Sequence, residues 1–404
     1  MSDIFDVDAL LEGIMMPEKQ SLQEIFDTKL KELGMSATAA RKVIGMDYRA
    51  VSKILSGTQK MLDVTTIPDF ATFLGVSEEE FIKLFLDEVR KNTPSSIGVS
   101  AKKIKFIQDN FDLIVLKKAG FIDSLKDFDH IEERLNARLG LKSILEYRKP
   151  NIDIAFSSGS FKPENDRNRA FWTRAAIACF EDIDNPNEFD RNELISFFPQ
   201  IRWYTMNVER GLVEVMKQLY KMGITVVFQP PLLTLQLRGA TFSHNNKPCI
   251  VLSNYVGFYA TLWFALVHEL YHVLFDWEEI KAGKYHLTDD RNEQLTVRER
   301  EEEANKFTRN YIFSTEKSMH VRPYLSDQEY VSEFARDNHV HPSIVYVFNA
   351  HDVGKTDRMA WARARKQSPT ELITQALKSI DMPWESEDAA VEVLLQKYKS
   401  KVYI

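Results

Sequence analysis

Cysteine is scarce in this 404-residue sequence, where Cys179 and Cys249 stand far apart. Two lone cysteines make neither a disulfide framework nor a CxxC metal pair, and they suit a reducing compartment. Positive charge is not in excess either. With 52 Lys and Arg against 59 Asp and Glu the formal net charge is -7, so the chain as a whole is no polybasic nucleic-acid binder. A locally basic module is still compatible with that total. Only 15 Gly and 14 Pro are present, which excludes collagen-like or Pro-rich low complexity. The start, MSDIFDVDALLEGIMMPEK, lacks the basic residues and apolar run of a secretory signal. The longest apolar stretch, FYATLWFALVHELYHVLF at Phe258–Phe275, contains His268, Glu269 and His272, which argues against a membrane span. A cytoplasmic protein without a membrane partner is therefore expected. What is plentiful is material for a core. Hydrophobic residues make up 44% and charged residues 27%, and the length allows two to four domains.

Breaks in the helical pattern fall at Asn92–Gly98 (NTPSSIG), at Arg148–Lys162, and at Pro199. They suggest residues 1–92, 93–199 and 200–404 as domains. Within the first, Ser21–Leu33, Ala37–Ile44 and Tyr48–Leu55 read as short helices. Gly34, Gly45 and Ser56-Gly57 end them, and Ser36 and Asp47 are placed to cap two of them. Helices at Ile67–Leu74 and Glu78–Leu86 follow. Short helices joined by a three-residue, Gly-containing turn carry the helix-turn-helix signature. Leu22, Ile25, Leu30, Val43, Val51, Ile54, Leu55 and Phe70 are the expected core. Between Ser21 and Lys60, seven basic residues outnumber four acidic ones, a local charge of +3 inside a chain of -7. That asymmetry suits contact with phosphates, although a basic protein-interaction module reads the same way. The rest is mostly helical, with strands expected at Asn151–Phe156, Ile224–Phe228, Leu232–Leu237 and Cys249–Leu252. Long helices are expected from Tyr259 and over Val297–Phe313.

The sharpest motif is His268-Glu269-Leu270-Tyr271-His272, an HExxH. On a helix, residues four apart lie about 40° apart in projection, so both imidazoles can fill corners of one tetrahedral zinc site. Glu269 lies on the adjacent flank, where it can take a proton from attacking water without ligating the metal. Two histidines on an apolar helix also fit a core role. Downstream, Glu301 and Asn305 share a face of a second helix, with the small Ala304 permitting close packing. Glu301 is the candidate third ligand, and Asn305 the candidate to fix a ligating imidazole by a hydrogen bond. Glu299, Glu302 and Glu303 read as a solvated acidic face.

GATFSHNNKPCIVLSNYVGFYATLWFALVHELYHVLF, then EEEANKF and FARDNHVHPSIV, resemble the ImmA/IrrE family of zinc peptidases, over Gly239–Val345. The order of domains is similar to members fused behind an XRE/HigA-like helix-turn-helix. The resemblance implies a mainly α fold with a small β-sheet, an all-α N-terminal domain and an α+β, gluzincin-like peptidase domain. It implies Zn2+ held by His268, His272 and Glu301. Through GMDYRAVSKILSG it implies that Tyr48, Arg49, Ser52 and Lys53 face the bases or phosphates of double-stranded DNA, with Arg41 and Lys42 near its backbone. It further implies a homodimer and a specific partner protein as substrate or toxin. Two positions depart from the family pattern: Tyr271 stands where Gly is frequent, and His341-Pro342-Ser343 replaces an HPG-like segment. His341 is a candidate transition-state donor, as are Tyr255, Tyr271 and Tyr311. His286, His320 and His351 read as surface or capping residues.

Three readings follow: a DNA-binding regulator with a zinc-dependent endopeptidase domain; a non-catalytic repressor or antitoxin whose zincin-like domain senses a signal or docks a toxin; and a general peptidase whose N-terminal module does not bind DNA.

Overall fold

The computed structural model describes residues 21–59, 61–92, 99–150, 155–158, 166–232, 235–255, 257–282, 291–378, 380–387 and 390–403. Lys60, His286, most of the Asn92–Gly98 break and the first four residues of the expected strand Asn151–Phe156 lie outside them. The chain divides into two compact units, Met1–Gly98 and Val99–Ile404. Residues 93–199 and 200–404, set apart by the sequence reading, thus fall almost wholly in one unit. One large buried core runs through that unit from Ile107 to Val402, with a small separate cluster at Trp277 and Ile280.

Unit 1 is built from α1 (Leu22–Leu33), α2 (Ala37–Ile44), α3 (Tyr48–Leu55), α4 (Thr66–Leu74) and α5 (Glu78–Asn92). Each start has a local cause. Ser21 and Glu24 form a reciprocal capping box on α1, and Ser36 and Asp47 accept backbone N–H groups at the heads of α2 and α3. Leu22, Phe26, Ala40, Ile44, Val51, Ile54, Leu55, Phe70 and Phe81 form the core. Val43, expected there, is 64% exposed. Ala40 and Ile44 face inward together, and Val43 lies about 100° around α2 from Ile44. Gly57, just past α3, has φ +65°, and a Cβ there would sit 2.3 Å from the Glu88 backbone of α5. Gly57→Ala should therefore cost unit 1 about 2 kcal/mol or more, the left-handed strain plus a backbone clash. Urea unfolding of fragment 21–92 measures this; an unchanged midpoint would contradict the close approach.

Unit 2 opens with α6 (Ala101–Asn110), α7 (Leu113–Lys118), α8 (Phe128–Leu139), β1 (Ala155–Ser158), α9 (Asp166–Ile183), α10 (Arg191–Phe197), a 3-10 segment (Phe198–Met206) and α11 (Gly211–Lys221). Then come β2 (Thr225–Phe228), β3 (Leu237–His244), β4 (Lys247–Leu252), α12 (Tyr259–Phe275), α13 (Trp277–Lys281) and α14 (Arg291–Phe313). The unit continues through α15 (Thr315–Val321), α16 (Gln328–Asp337), α17 (Pro342–Val353), α18 (Ala360–Lys366), α19 (Thr370–Lys378) and α20 (Val391–Val402). The four strands lie in the order β1-β3-β4-β2. The pair β3/β4 is an antiparallel hairpin, and β2 runs parallel to β4. Asn245 and Asn246, both at positive φ, make the tight turn of that hairpin. Of the strand expected at Leu232–Leu237, residues 233 and 234 lie outside the described residues; Leu235 N–H donates to Leu232 O, and the ladder begins at Leu237. Pro230 and Pro231 offer no N–H to a ladder, which delays its start.

The helix α12 lies on one sheet face, and α9 on the other, where Phe180 meets Phe242 edge-on. Two buried arginines of α8 hold a distant segment. Arg134 donates to the carbonyls of Trp384 and Ser386 at 2.8 and 2.7 Å, and Arg138 to that of Met382 at 3.0 Å. The Arg138 guanidinium also lies over the Trp384 ring. From α20 and the residue after it, Tyr398 and Tyr403 both donate to the Val226 carbonyl on β2.

Candidate metal centre and nucleic-acid interface

The HExxH falls in the middle of α12, a helix apolar nearly all round and therefore buried. His268 and His272 are 1% and 0% exposed, on the flank that faces α14. Glu301 of α14 reaches both: its Oε2 is 3.1 Å from His268 Nε2 and its Oε1 3.3 Å from His272 Nε2, with the two imidazole nitrogens 3.2 Å apart. Two atoms bound at 2.0–2.1 Å to one tetrahedral zinc stand about 3.3–3.4 Å apart, so the three donors already have the spacing of such a site. Ala304 and Thr308, fully buried on α14, bring this helix close enough for Glu301 to reach across. Glu302 and Glu303 are exposed.

Asn305 does not serve the imidazoles. It is exposed, and the Nδ1 of His272 instead donates to Asp276 Oδ2 at 2.7 Å. Asp276 caps the end of α12 four positions after His272, so His268, His272 and Asp276 stand in the sequence at i, i+4, i+8. Arg300 braces this carboxylate: it forms an ion pair with Glu279 and comes within 4.0 Å of Asp276 Oδ1. Asn305 lies on the outer flank of α14, away from the Ala304–Thr308 contact.

Glu269 turns toward the sheet. Thr241 on β3 donates its hydroxyl to Glu269 Oε2 at 2.6 Å, while the buried Oε1 has no hydrogen-bond partner among the described residues. Gly239 makes room for it, since a Cβ there would lie 2.8 Å from Oε1. Burial raises the Glu269 pKa, opposed by the two histidines and Thr241. Glu301 is lowered to about 2: burial pushes it up, and the hydrogen bonds and charges of His268 and His272 overcome that. His272 is raised to about 10, because Asp276, Glu301 and Glu269 outweigh the effect of its burial.

With that pKa, His272 carries a proton at pH 7 in the metal-free chain and must lose it to become a ligand. Zinc loading at pH 7 is therefore expected to release about one proton from this site. Calorimetry in buffers of different ionisation enthalpy reads it, and a release of zero would contradict the arrangement. The sign for stability also follows. The raised His272 gives the metal-free fold stability that is complete below pH 6.5 and fades as pH rises through about 10. The depressed Glu301 gives stability that is complete above pH 4.5 and fades as pH falls through about 2.

Three of the other candidate donors, Tyr311, Tyr271 and His341, make hydrogen bonds elsewhere. Tyr311 donates to Phe198 O and accepts from Arg202 N–H, which ties α14 to the 3-10 segment. Tyr271 donates to Glu303 and packs against Phe275 and Phe307. His341 caps α17, its Nδ1 accepting from Ser343 N–H at 3.2 Å. His320 stacks on Phe334, and His351 meets Trp361 edge-on. Tyr255 is 39% exposed.

In unit 1, the expected contact residues share a surface. Tyr48, Arg49, Ser52 and Lys53 are exposed along one side of α3, and Val51, Ile54 and Leu55 fill the other. Lys42 is exposed on α2. Arg41 is pinned rather than loose. It donates to Ala37 O and Thr38 Oγ1, and its guanidinium sits 4.7 Å above the Tyr48 ring. Two residues of the sequence-predicted surface are thus held together across the α2–α3 turn.

Residues 28–81 match the helix-turn-helix family model, a span that runs from within α1 into the first turns of α5. No curated protein and no solved structure matches the chain. The N-terminal unit is a helix-turn-helix domain of a kind that supports DNA binding and transcriptional regulation. Among the described residues, no helix is long and apolar enough to cross a membrane.

Proposed function

We propose that this protein is a DNA-binding regulator whose second unit is a zinc-dependent endopeptidase acting on one partner protein. The observation that carries the second half is the convergence of His268, His272 and Glu301, with donor atoms within 4.8 Å of one another. The donor set fits zinc in chemistry and spacing, and Asp276 supplies the carboxylate that orients a ligating imidazole. Zinc bound there would supply a Lewis acid for a peptide carbonyl and for the attacking water. Glu269, made more basic by burial, takes the proton from that water and passes it to the leaving amine. Thr241 holds the carboxylate in place through one oxygen and leaves the other for the proton. The resemblance to ImmA/IrrE peptidases supports the same assignment. Incubating the zinc-loaded protein with the product of the adjacent reading frame tests it: scission at one bond is expected, and an intact partner would count against it.

One observation favours a second reading. Glu269 is 0% exposed, as a carboxylate in a closed sensing or docking domain would be. In that reading zinc binds and the partner docks without being cut.

DNA contact is assigned to α3 and the adjoining end of α2. Arg49→Ala is expected to weaken operator binding by about 1–3 kcal/mol, as for a lost bidentate base contact. Lys53→Ala, if it faces phosphate, weakens all sequences alike and lowers the salt slope. Gel shifts of the full chain with its own promoter DNA at two salt concentrations separate these. Equal affinity of Arg49→Ala and wild type would remove α3 from the interface. Operator binding as a homodimer, expected from the XRE resemblance, predicts a two-half-site footprint.

A further inference from the structure

We propose that unit 2 carries a second binding site, for a small oxyanion, in a recess between the start of the 3-10 turn after α15 and the loop joining α17 to α18. The recess has a volume of 420 Å³ and is lined by Arg322, Asn349, Val353, Thr356, Asp357 and Arg363, among others. This is within the range of small-molecule sites, which pair an apolar wall with a few convergent polar groups.

The charged groups of the lining are two guanidiniums, Arg322 and Arg363, against one carboxylate, Asp357. Asn349 is 2% exposed, and its Oδ1 accepts from Arg322 Nε at 3.0 Å, which fixes the amide with its NH2 opposite. That NH2 has no hydrogen-bond partner among the described residues, and Asn349 lines the recess.

The two guanidiniums are only partly neutralised. Asp352, the carboxylate nearest Arg322, is already committed: its Oδ2 accepts from Arg309 at 2.8 Å and from Ser318 Oγ at 2.6 Å. Arg322 stands 3.7 Å from the same oxygen, too far for a hydrogen bond. Asp357 pairs with Arg363 through one oxygen and accepts from Met359 N–H with the other. Each guanidinium has five N–H groups, so most of those on Arg322 and Arg363 remain available. Three arginines (309, 322 and 363) face two aspartates (352 and 357), leaving the cluster one positive charge in excess. Planar forks beside an unpartnered amide match a carboxylate or a phosphate, whose oxygens accept from several donors at once. Nothing here touches the candidate zinc ligands, so the site stands or falls independently of the peptidase reading.

The probes are inorganic phosphate and succinate, titrated calorimetrically into the full chain at constant ionic strength. One saturable site per chain is expected. Asn349→Asp keeps the side-chain shape and replaces the donor with a negative charge. Arg363→Gln removes a half-exposed fork. Each should weaken binding about tenfold or more, the loss of one charge-assisted hydrogen bond, with unchanged circular dichroism. If only one variant folds, that one decides. Phosphate alone saturating assigns a phosphate ester, and succinate alone a carboxylate. No saturable binding of either probe up to millimolar concentration, or equal binding by both folded variants and wild type, would overturn the proposal.

Discussion

Glu269→Gln is expected to retain the wild-type zinc content and to lose partner cleavage by about 10²-fold or more, the usual contribution of a general base. The amide is the same size and can still accept from the Thr241 hydroxyl, so the packing against Gly239 and β3 survives. What disappears is the group that receives the proton. His268→Ala removes a donor from the cluster and is expected to empty it. Metal analysis alongside a cleavage assay distinguishes the two roles. A zinc-free Glu269→Gln protein would make Glu269 a ligand, and a fully active one would move the base elsewhere. Wild-type protein that binds zinc and cuts nothing would favour the sensing reading, which the His268→Ala metal measurement leaves intact.

The largest expected loss of stability comes from Arg138→Ala, about 3 kcal/mol. Arg138 is 1% exposed, and burial lowers its pKa, so its charge is carried at a cost that its contacts offset. Alanine leaves a cavity under Trp384 and an unpaired Met382 carbonyl. Arg138→Met refills most of the volume without the donor, and should recover the packing part of the loss. Denaturant unfolding of the three proteins reads this directly. If alanine and wild type unfold at the same midpoint, the clamp between α8 and residues 382–387 contributes nothing.

The helical parts of the fold were the most legible. Capping residues and glycines bounded α1 to α3 to within a residue, because these helices start and stop on local chemistry. The HExxH was legible for the same reason: residues four apart share a helix face whatever packs against it. Glu301 was reachable through the family resemblance and the small Ala304. Asp276 continues the four-residue ladder of the histidines and pairs with His272, the part that the sequence pattern gives to Asn305. Thr241 and Gly239 could not be assigned. Their part depends on β3 crossing α12, and the strand expected at Leu232–Leu237 meets β3 only at Leu237. Which side chain a strand lays against a distant helix is set by register, and register is not written in local propensity.

The stitching of residues 382–403 onto α8 and β2 has a consequence for how the protein is made. Unit 1 has a complete core of its own and can fold once residue 92 or so has left the ribosome. Unit 2 cannot finish then. The Val226 carbonyl waits for Tyr398 and Tyr403, and the guanidiniums of Arg134 and Arg138 wait for the backbone at Met382–Ser386. During synthesis, a finished helix-turn-helix therefore trails from the ribosome ahead of an unfinished second unit. Translation stalled anywhere between residues 100 and 380 would release a chain with an intact DNA-reading head and a second unit still open to proteolysis.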